Sequence, residues 1–371
     1  MHPETLAIRS TMLEDHNFGA VVPPLYLTTT FERNPDGSVR PYVYSRAEAP
    51  NRHLLEKSLA LLEGGAVAYA FASGQAATFA VLQALGAGTH VIAPDDAYYG
   101  SLVLMQDTLA DWGLEVSRVN MTDPANVKRA IQPNTKLIWV ETPSNPRLQV
   151  TDIAAMAQIA HEIGAICAVD NTWATPILQS PLALGADIVM HSTTKYLSGH
   201  SDVLGGALIL REQGTWASKI HAIQKVGGAV PSPFDCWLVA RGIRTLPLRV
   251  KAQTESAMKL ATFLHEHPAI EVVHYPGLSS HPGHLVASQQ MRLFGAMLSV
   301  QVKGGETEAL AVTSRLKLFT HATSLGGVES LVEHRRSSEG PTSQSPANLL
   351  RISVGLEHIA DLIEDWAQAL L

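Results

Sequence analysis

Short apolar segments rich in β-forming residues alternate with stretches of helical periodicity from about residue 66 to residue 171. Three of these segments are THVIAP (89–94), LEVSRV (114–119) and AICAVDN (165–171). Alternation of this kind predicts right-handed βαβ units and a mainly parallel sheet. The fold class is therefore α/β. We also expect one continuous helix over residues 101–113 and a helix capped by Thr122.

The two ends of the chain follow other patterns. Residues 1–44 contain five prolines and little periodic apolar sequence, which predicts an irregular arm lying on a larger body such as a neighbouring subunit. Residues 231–267 predict a long helix that Pro247 bends or breaks, followed by a smaller α+β lobe. Residues 334–349, rich in Ser and Pro, predict a surface loop. We therefore expect an arm (1–44), an α/β domain (45–240) and a C-terminal α+β domain (241–371).

Polar residues follow three of the predicted strands, at 141–145, 170–173 and 192–195. Ligands bind at the carboxyl ends of the strands in such sheets, so these segments are expected to meet at one site. Ser73-Gly74-Gln75 joins a strand to a helix and could hold a phosphate on free backbone amides, although an ordinary helix cap is the alternative.

Lys195 follows the short apolar run Ile188–Met190 and a cluster of hydroxyl residues, in DIVMHSTTKYLSGHS. A lysine delivered by a buried strand is expected to have a lowered pKa and to react with aldehydes as a free amine. Ser192 and Thr194 alternate along an extended chain, so both hydroxyls could face one phosphate. A surface lysine that ends a strand is the alternative interpretation of an isolated Thr-Lys pair.

Net charge and composition exclude several classes of protein. The net charge of −7 and the pI of about 6.1 give no basis for nucleic-acid or anionic-membrane binding. Two cysteines cannot build a disulfide framework, and we expect both to be buried thiols in a reducing cytoplasm. The N-terminus lacks a signal core, no apolar run reaches membrane-spanning length, and no metal site is expected.

The stretch 187–201 resembles, almost position for position, the cofactor-attachment signature of the Cys/Met-metabolism pyridoxal 5'-phosphate enzymes. The resemblance covers nearly the whole chain and is greatest to the cystathionine γ-synthase and γ-lyase branch. It implies the fold type I, aspartate aminotransferase-like architecture, with a seven-stranded central sheet and a smaller C-terminal α+β domain. It also implies a homotetramer made of dimers that share active sites.

The resemblance assigns roles to individual residues. Lys195 is the lysine that forms a Schiff base with the cofactor, Asp170 faces the pyridine nitrogen, and Tyr98 stacks on the ring and assists the leaving group. Tyr44 and Arg46, in YSR, reach the phosphate across a dimer interface. The remaining implied cofactor and substrate residues are Ser73, Gly74, Gln75, Asn145, Ser192, Thr194, Thr323, Ser324 and Arg351, of which Arg351 binds the substrate α-carboxylate.

Three segments depart from the family pattern. Residues 47–51 alter the loop at the mouth of the substrate site. Thr323 stands where the relatives carry residues that influence which bond breaks. Residues 333–339, EHRRSSE, replace the usual H-P-A-x-M-T-H, and we expect Arg335 or Arg336 to adapt the pocket to a polar or anionic distal group, unless this segment is a solvated loop.

The function implied is γ-elimination or γ-replacement on γ-substituted L-amino acids. The alternatives are a β-lyase, a methionine γ-lyase, or a γ-lyase for a substrate such as canavanine or an O-acyl homoserine. A nicotinamide oxidoreductase is disfavoured because no G-x-G-x-x-G is present. A non-catalytic binding module is disfavoured because it has no need of amine, acid, stacking ring and arginine together.

Overall fold

The structure is a computed structural model that describes residues 1–12, 18–341 and 343–371. Part of the predicted arm, residues 13–17, lies outside the described residues. Fourteen α-helices are assigned within them: α1 (Pro3–Arg9), α2 (Pro50–Glu63), α3 (Gly74–Leu85), α4 (Tyr99–Val103), α5 (Pro124–Arg129), α6 (Ile153–Glu162), α7 (Thr175–Leu178), α8 (Thr215–Gly227), α9 (Pro233–Ile243), α10 (Leu246–Glu266), α11 (His284–Gln290), α12 (Glu306–Arg315), α13 (Arg335–Glu339) and α14 (Ile359–Ala369).

A seven-stranded sheet forms the larger layer, in the order β1-β7-β6-β5-β4-β2-β3. All its pairings are parallel except those of β7, which is antiparallel to both neighbours. The predicted seven-stranded, mainly parallel sheet is confirmed. Its strands are β1 (Val67–Phe71), β2 (His90–Pro94), β3 (Glu115–Val119), β4 (Thr135–Glu141), β5 (Ile166–Asp170), β6 (Ile188–His191) and β7 (Gly206–Leu210).

Both faces of the large sheet are covered, which is why its central strands are continuously apolar. Alternate residues of β6 show the two sides: Val189 packs into one hydrophobic cluster, while Ile188 and Met190 pack into another. The smaller, five-stranded sheet has the order β10-β11-β12-β9-β8 and forms the expected C-terminal α+β layer. Its strands are β8 (Ile270–His274), β9 (Met297–Val302), β10 (Thr320–His321), β11 (Leu331–His334) and β12 (Leu349–Ser353).

The predicted interruption at Pro247 is confirmed. Helix α9 ends at Ile243 and α10 begins at Leu246, so Pro247 occupies the first turn, where a missing amide leaves no bond unmade. Helix α10 packs against β8 and β9 of the small sheet and against α9, which joins the two layers.

Four local predictions need correction. The segment predicted as one helix over 101–113 is divided among α4, a π-helical turn at Leu104–Thr108 and a 3₁₀ turn at Ala110–Trp112. The cap of α5 is Asp123, because Pro124 holds the first helical position and the residue before it becomes the cap. The N-terminal arm is not wholly irregular, since α1 packs on α2 and α10. The predicted loop at 334–349 opens with α13, whose first residue is buried.

Among the described residues, no helix has the length and apolar character needed to cross a membrane.

Candidate active site

A cavity of about 200 Å³ lies at the carboxyl ends of β4, β5 and β6, between the two sheets. The structure brings most of the sequence-predicted residues to its wall, and the three polar strand exits meet there as expected. The predicted residues on the wall are Ser73, Gly74, Gln75, Tyr98, Asn145, Asp170, Ser192, Thr194, Lys195, Thr323, Ser324 and Arg351.

Lys195 lies four residues beyond the end of β6. Its Nζ donates a hydrogen bond to Ser324 Oγ at 2.8 Å. Burial, together with the positive charge of Arg351, lowers the pKa of Lys195 to about 8, although the negative charge of Glu333 opposes this shift. The free amine is therefore far more populated near neutral pH than in an ordinary lysine, in agreement with the lowered pKa that the sequence predicted.

Asp170 is the last residue of β5 and is buried at the base of the cavity. Its Oδ1 accepts a hydrogen bond from the Thr172 amide at 3.0 Å. Burial raises the pKa of Asp170, although the hydrogen bonds from Thr172 oppose this shift. A buried carboxylate in this position is stabilised by a cation brought into the cavity.

Glu141 is a second buried acid that the sequence analysis placed at a strand exit without giving it a role. It ends β4 directly opposite Asp170 in the strand register. Its Oε2 accepts a hydrogen bond from the Tyr98 amide at 2.9 Å. Burial raises the pKa of Glu141 well above its ordinary value, and the nearby charge of Asp170 adds to the shift. Glu141 therefore fixes the backbone that presents Tyr98.

The N-terminus of α3 forms another wall of the cavity. Ser73 caps the helix, its Oγ accepting from the Ala76 amide at 3.1 Å, so this hydroxyl is committed to the helix. The side chain of Gln75 is also committed, since its Nε2 donates to the Gly100 carbonyl at 2.9 Å. The backbone amides of Gly74 and Gln75 lie in the first turn of the helix, where amides have no partner within the helix, so they can donate to an anion. A Cβ at Gly74 would lie 2.9 Å from Ser192 Cβ, so glycine keeps this space open.

The hydroxyls of Ser192 and Thr194 differ in their surroundings. Thr194 Oγ1 donates to the Gly205 carbonyl at 3.2 Å and accepts from the Gly205 amide at 3.0 Å. Ser192 lies close against Gly74 in the cavity wall, and its backbone amide donates to the Thr172 hydroxyl at 2.9 Å. Ser192 is thus the more accessible hydroxyl for a phosphate.

Arg351, on β12, reaches the cavity from the small sheet. Its Nη1 donates to Asn145 Oδ1 at 3.2 Å, and its Nη2 donates to the Ser324 carbonyl at 3.1 Å. Nη2 also forms a close ion pair with Glu333. Ser324 has a positive φ of 90°, and this conformation directs its hydroxyl to Lys195 and its carbonyl to Arg351. Thr323 lies beside it and is exposed to solvent.

Tyr44 and Arg46 lie outside this cavity and are exposed. Arg46 Nη1 donates to the Lys225 carbonyl at 2.7 Å, and its guanidinium lies 5.7 Å from the centroid of the Tyr44 ring. Tyr98, in contrast, lines the cavity with 42% of its surface exposed.

Residues 333–339 also reach the site. Arg335 is buried on the cavity wall, whereas Arg336 is exposed. Both terminal nitrogens of Arg335 pair with carboxylates, so its charge is already balanced. The expectation that it meets a distal anion stays a prediction.

The side chains of the cavity fit pyridoxal phosphate. The group requires an amine, an acid for the ring nitrogen and a phosphate site, and these correspond to Lys195, Asp170 and the glycine-opened N-terminus of α3. The glycine cradle and the buried acid are features of this structure that an unrelated sheet protein would not need together.

Comparison with known proteins identifies the family of this chain. A family model described as "Cys/Met metabolism PLP-dependent enzyme" matches residues 4–371. Cystathionine gamma-synthase of Mycobacterium tuberculosis is 46% identical over 99% of this chain and 96% of its own, and cystathionine beta-lyase of Coxiella burnetii is 44% identical over 100% and 98%. A crystal structure of metB from Corynebacterium glutamicum superimposes with a TM-score of 0.97 at 42% identity, covering 100% of this chain and 98% of that one. The chain is therefore an enzyme of the Cys/Met-metabolism pyridoxal-phosphate family, and pyridoxal phosphate is its cofactor.

Proposed function

We propose that this enzyme acts on γ-substituted L-amino acids by γ-elimination or γ-replacement, with Lys195 as the residue that moves protons. The observation that carries the proposal is the position of Lys195 Nζ, which lies in the cavity with a pKa lowered to about 8. Such an amine gives and takes protons readily near neutral pH.

Three parts of the site prepare the substrate. When bound, pyridoxal phosphate supplies an aldehyde for the substrate amine and a ring that withdraws electrons from Cα. Asp170 would hold a proton at the ring nitrogen, and the amides of Gly74 and Gln75 would hold the phosphate. Arg351 binds the α-carboxylate, and its bond to Asn145 Oδ1 orients the guanidinium.

Lys195 then moves protons at two carbon atoms of the substrate. It removes the Cα proton and, because it is a long flexible side chain with a single basic nitrogen, it also reaches the Cβ protons, which only γ-chemistry requires. Tyr98 lies at the cavity wall and gives a proton to the departing group. The 46% identical relative named cystathionine gamma-synthase supports the γ-reaction. The 44% identical relative named cystathionine beta-lyase makes β-elimination the second candidate.

Product analysis tests the proposal. The enzyme is incubated with cystathionine, methionine, O-acyl homoserines and canavanine, with and without a thiol acceptor, and the products are identified. We expect 2-oxobutyrate, homoserine or a new thioether. Pyruvate as the main product would show a β-lyase instead. Lys195→Ala is the control, and product formation by this variant at the wild-type rate would refute the role of Lys195.

We propose further that Tyr44 and Arg46 complete the phosphate site of a neighbouring subunit in a cytoplasmic homotetramer. Arg46 is exposed outside its own cavity, and the arm that precedes it exposes apolar side chains such as Val21 and Leu27. Co-expression of the Lys195→Ala and Arg46→Ala chains tests this arrangement. Half of the randomly formed dimers then contain one intact site, so about a quarter of wild-type activity should return. If the co-expressed mixture is no more active than the separate variants, Arg46 belongs to the active site of its own subunit or to no active site.

A further inference from the structure

Four charged side chains form a buried network beside the cavity, between β11, α13 and β12. Glu333, Arg335 and Arg351 are each less than 5% exposed. Glu333 Oε2 accepts from Arg335 Nη1 at 2.9 Å and also forms a close ion pair with Arg351 Nη2. Arg335 Nη2 pairs in turn with Glu339 Oε1 at 2.8 Å.

Glu339 is the fixed end of this network. Its Oε2 accepts hydrogen bonds from Ser343 Oγ at 2.6 Å and from Ser345 Oγ at 2.7 Å. The short helix α13 places Arg335 and Glu339 one turn apart, so the guanidinium is held between two carboxylates. Arg335 is therefore anchored independently of Arg351.

Glu333 pairs with the Arg351 guanidinium, which is the group that a substrate carboxylate would bind. Burial acts to raise the pKa of Glu333, but the charges of Arg351 and Arg335 leave it below its ordinary value, so the group is ionised. Its second oxygen, Oε1, is buried and has no hydrogen-bond partner among the described residues. An ionised carboxylate with Arg351 as its only partner would resist displacement, because losing that partner would leave it buried and unpaired.

We propose that Arg335 is a positioning residue that retains Glu333 when Arg351 exchanges this internal carboxylate for the α-carboxylate of the substrate. The inference rests on the proposed role of Arg351. Glu333 already bonds both arginines through the same oxygen, so it keeps one ion pair throughout the exchange. The substrate carboxylate thus pairs with Arg351, and the buried Glu333 carboxylate stays paired with Arg335.

Binding of two small amines to the holoenzyme tests this proposal. L-Alanine and ethylamine both present an amine, but only alanine carries a carboxylate. Their dissociation constants are measured from changes in the visible absorption of the cofactor, which requires no turnover. The variants are Arg335→Gln, the double variant Glu333→Gln/Arg335→Gln, and Arg336→Gln as the matched exposed control.

We expect Arg335→Gln to weaken alanine binding by about tenfold, within the range of couplings between neighbouring charged residues, and to leave ethylamine binding unchanged. With a γ-substituted substrate the same variant should raise KM and preserve kcat. The double variant should recover alanine binding because the neutral amide that replaces the Glu333 carboxylate no longer competes for Arg351. The Arg336→Gln variant should match the wild type.

Equal loss of both ligands in Arg335→Gln would indicate a merely structural arginine and overturn the proposal. Unchanged alanine binding, or no recovery in the double variant, would overturn it as well. Because the titration needs no reaction, it also separates this inference from the proposed γ-chemistry, whose failure would appear only in the product analysis.

Discussion

Backbone strain at Ser324 leads to a prediction that separates stability from function. A non-glycine residue held at a φ of 90° costs about 1–3 kcal/mol. Ser324→Ala keeps this strain and removes the hydroxyl that binds Lys195 Nζ, whereas Ser324→Gly removes both. Glycine also frees the unfolded chain, which costs about 0.5–1 kcal/mol relative to alanine. The difference leaves the glycine variant more stable than the alanine variant by about 1 kcal/mol.

The free energy of unfolding of both variants is measured by urea denaturation of the cofactor-free protein. Ser288 provides the control, since it lies exposed in α11, an ordinary helix. At that position the free energy of unfolding of the alanine variant should exceed that of the glycine variant by about 1 kcal/mol, which is the opposite of the order expected at Ser324.

Higher stability of Ser324→Ala than of Ser324→Gly would refute the assignment of strain to this residue. Both variants should lose catalytic efficiency, because neither supplies the Oγ acceptor for Lys195. Ser324→Gly, although more stable than Ser324→Ala, is therefore expected to be a poorer enzyme than the wild type, as is common where a strained residue positions a reactive group.

Three further predictions concern the cofactor site and the thiols. Because burial lowers the pKa of Lys195 from 10.5 to about 8, the amine fraction rises with pH, and the rate at which the apoenzyme takes up pyridoxal phosphate should climb towards pH 8 and level off above it. Gly74→Ala places a Cβ 2.9 Å from the Cβ of Ser192, so the dissociation constant for pyridoxal phosphate should rise about tenfold in equilibrium dialysis. Gly227→Ala is the control, because its Cβ would have no atom within 4 Å and the dissociation constant should stay unchanged. Burial raises the pKa of both Cys167 and Cys236, so a thiol reagent should label neither in the native protein and both after unfolding. Rapid labelling of the native protein would contradict their burial.

The order of strands and helices in the large sheet was predictable because each segment carries its own periodicity. Buried strands such as β5 and β6 are short and apolar, and the helices between them repeat every three to four residues. The position of Lys195 after such a strand, and of Asp170 at the end of another, followed from the same pattern. Their meeting at one edge followed from parallel pairing.

The segment 333–339 shows where this reasoning fails. Its charged, Ser-rich composition is that of a solvated loop, yet the structure buries Glu333 and Arg335 against Arg351. The burial depends on partners almost 20 residues away along the chain, and no local pattern encodes a long-range ion pair. Glu141 is similar, because part of its raised pKa arises from Asp170 on the neighbouring strand.

By itself the sequence determined the alternation of strands and helices that forces a parallel sheet, and the reactive residues at the strand ends, since these depend on neighbours close along the chain. Tertiary structure alone decided which charges are buried, which hydroxyls are already committed to other bonds, and that Arg351 shares Glu333 with Arg335. Those properties depend on distance in space and on exclusion of water, which arise only when separate parts of the chain pack together.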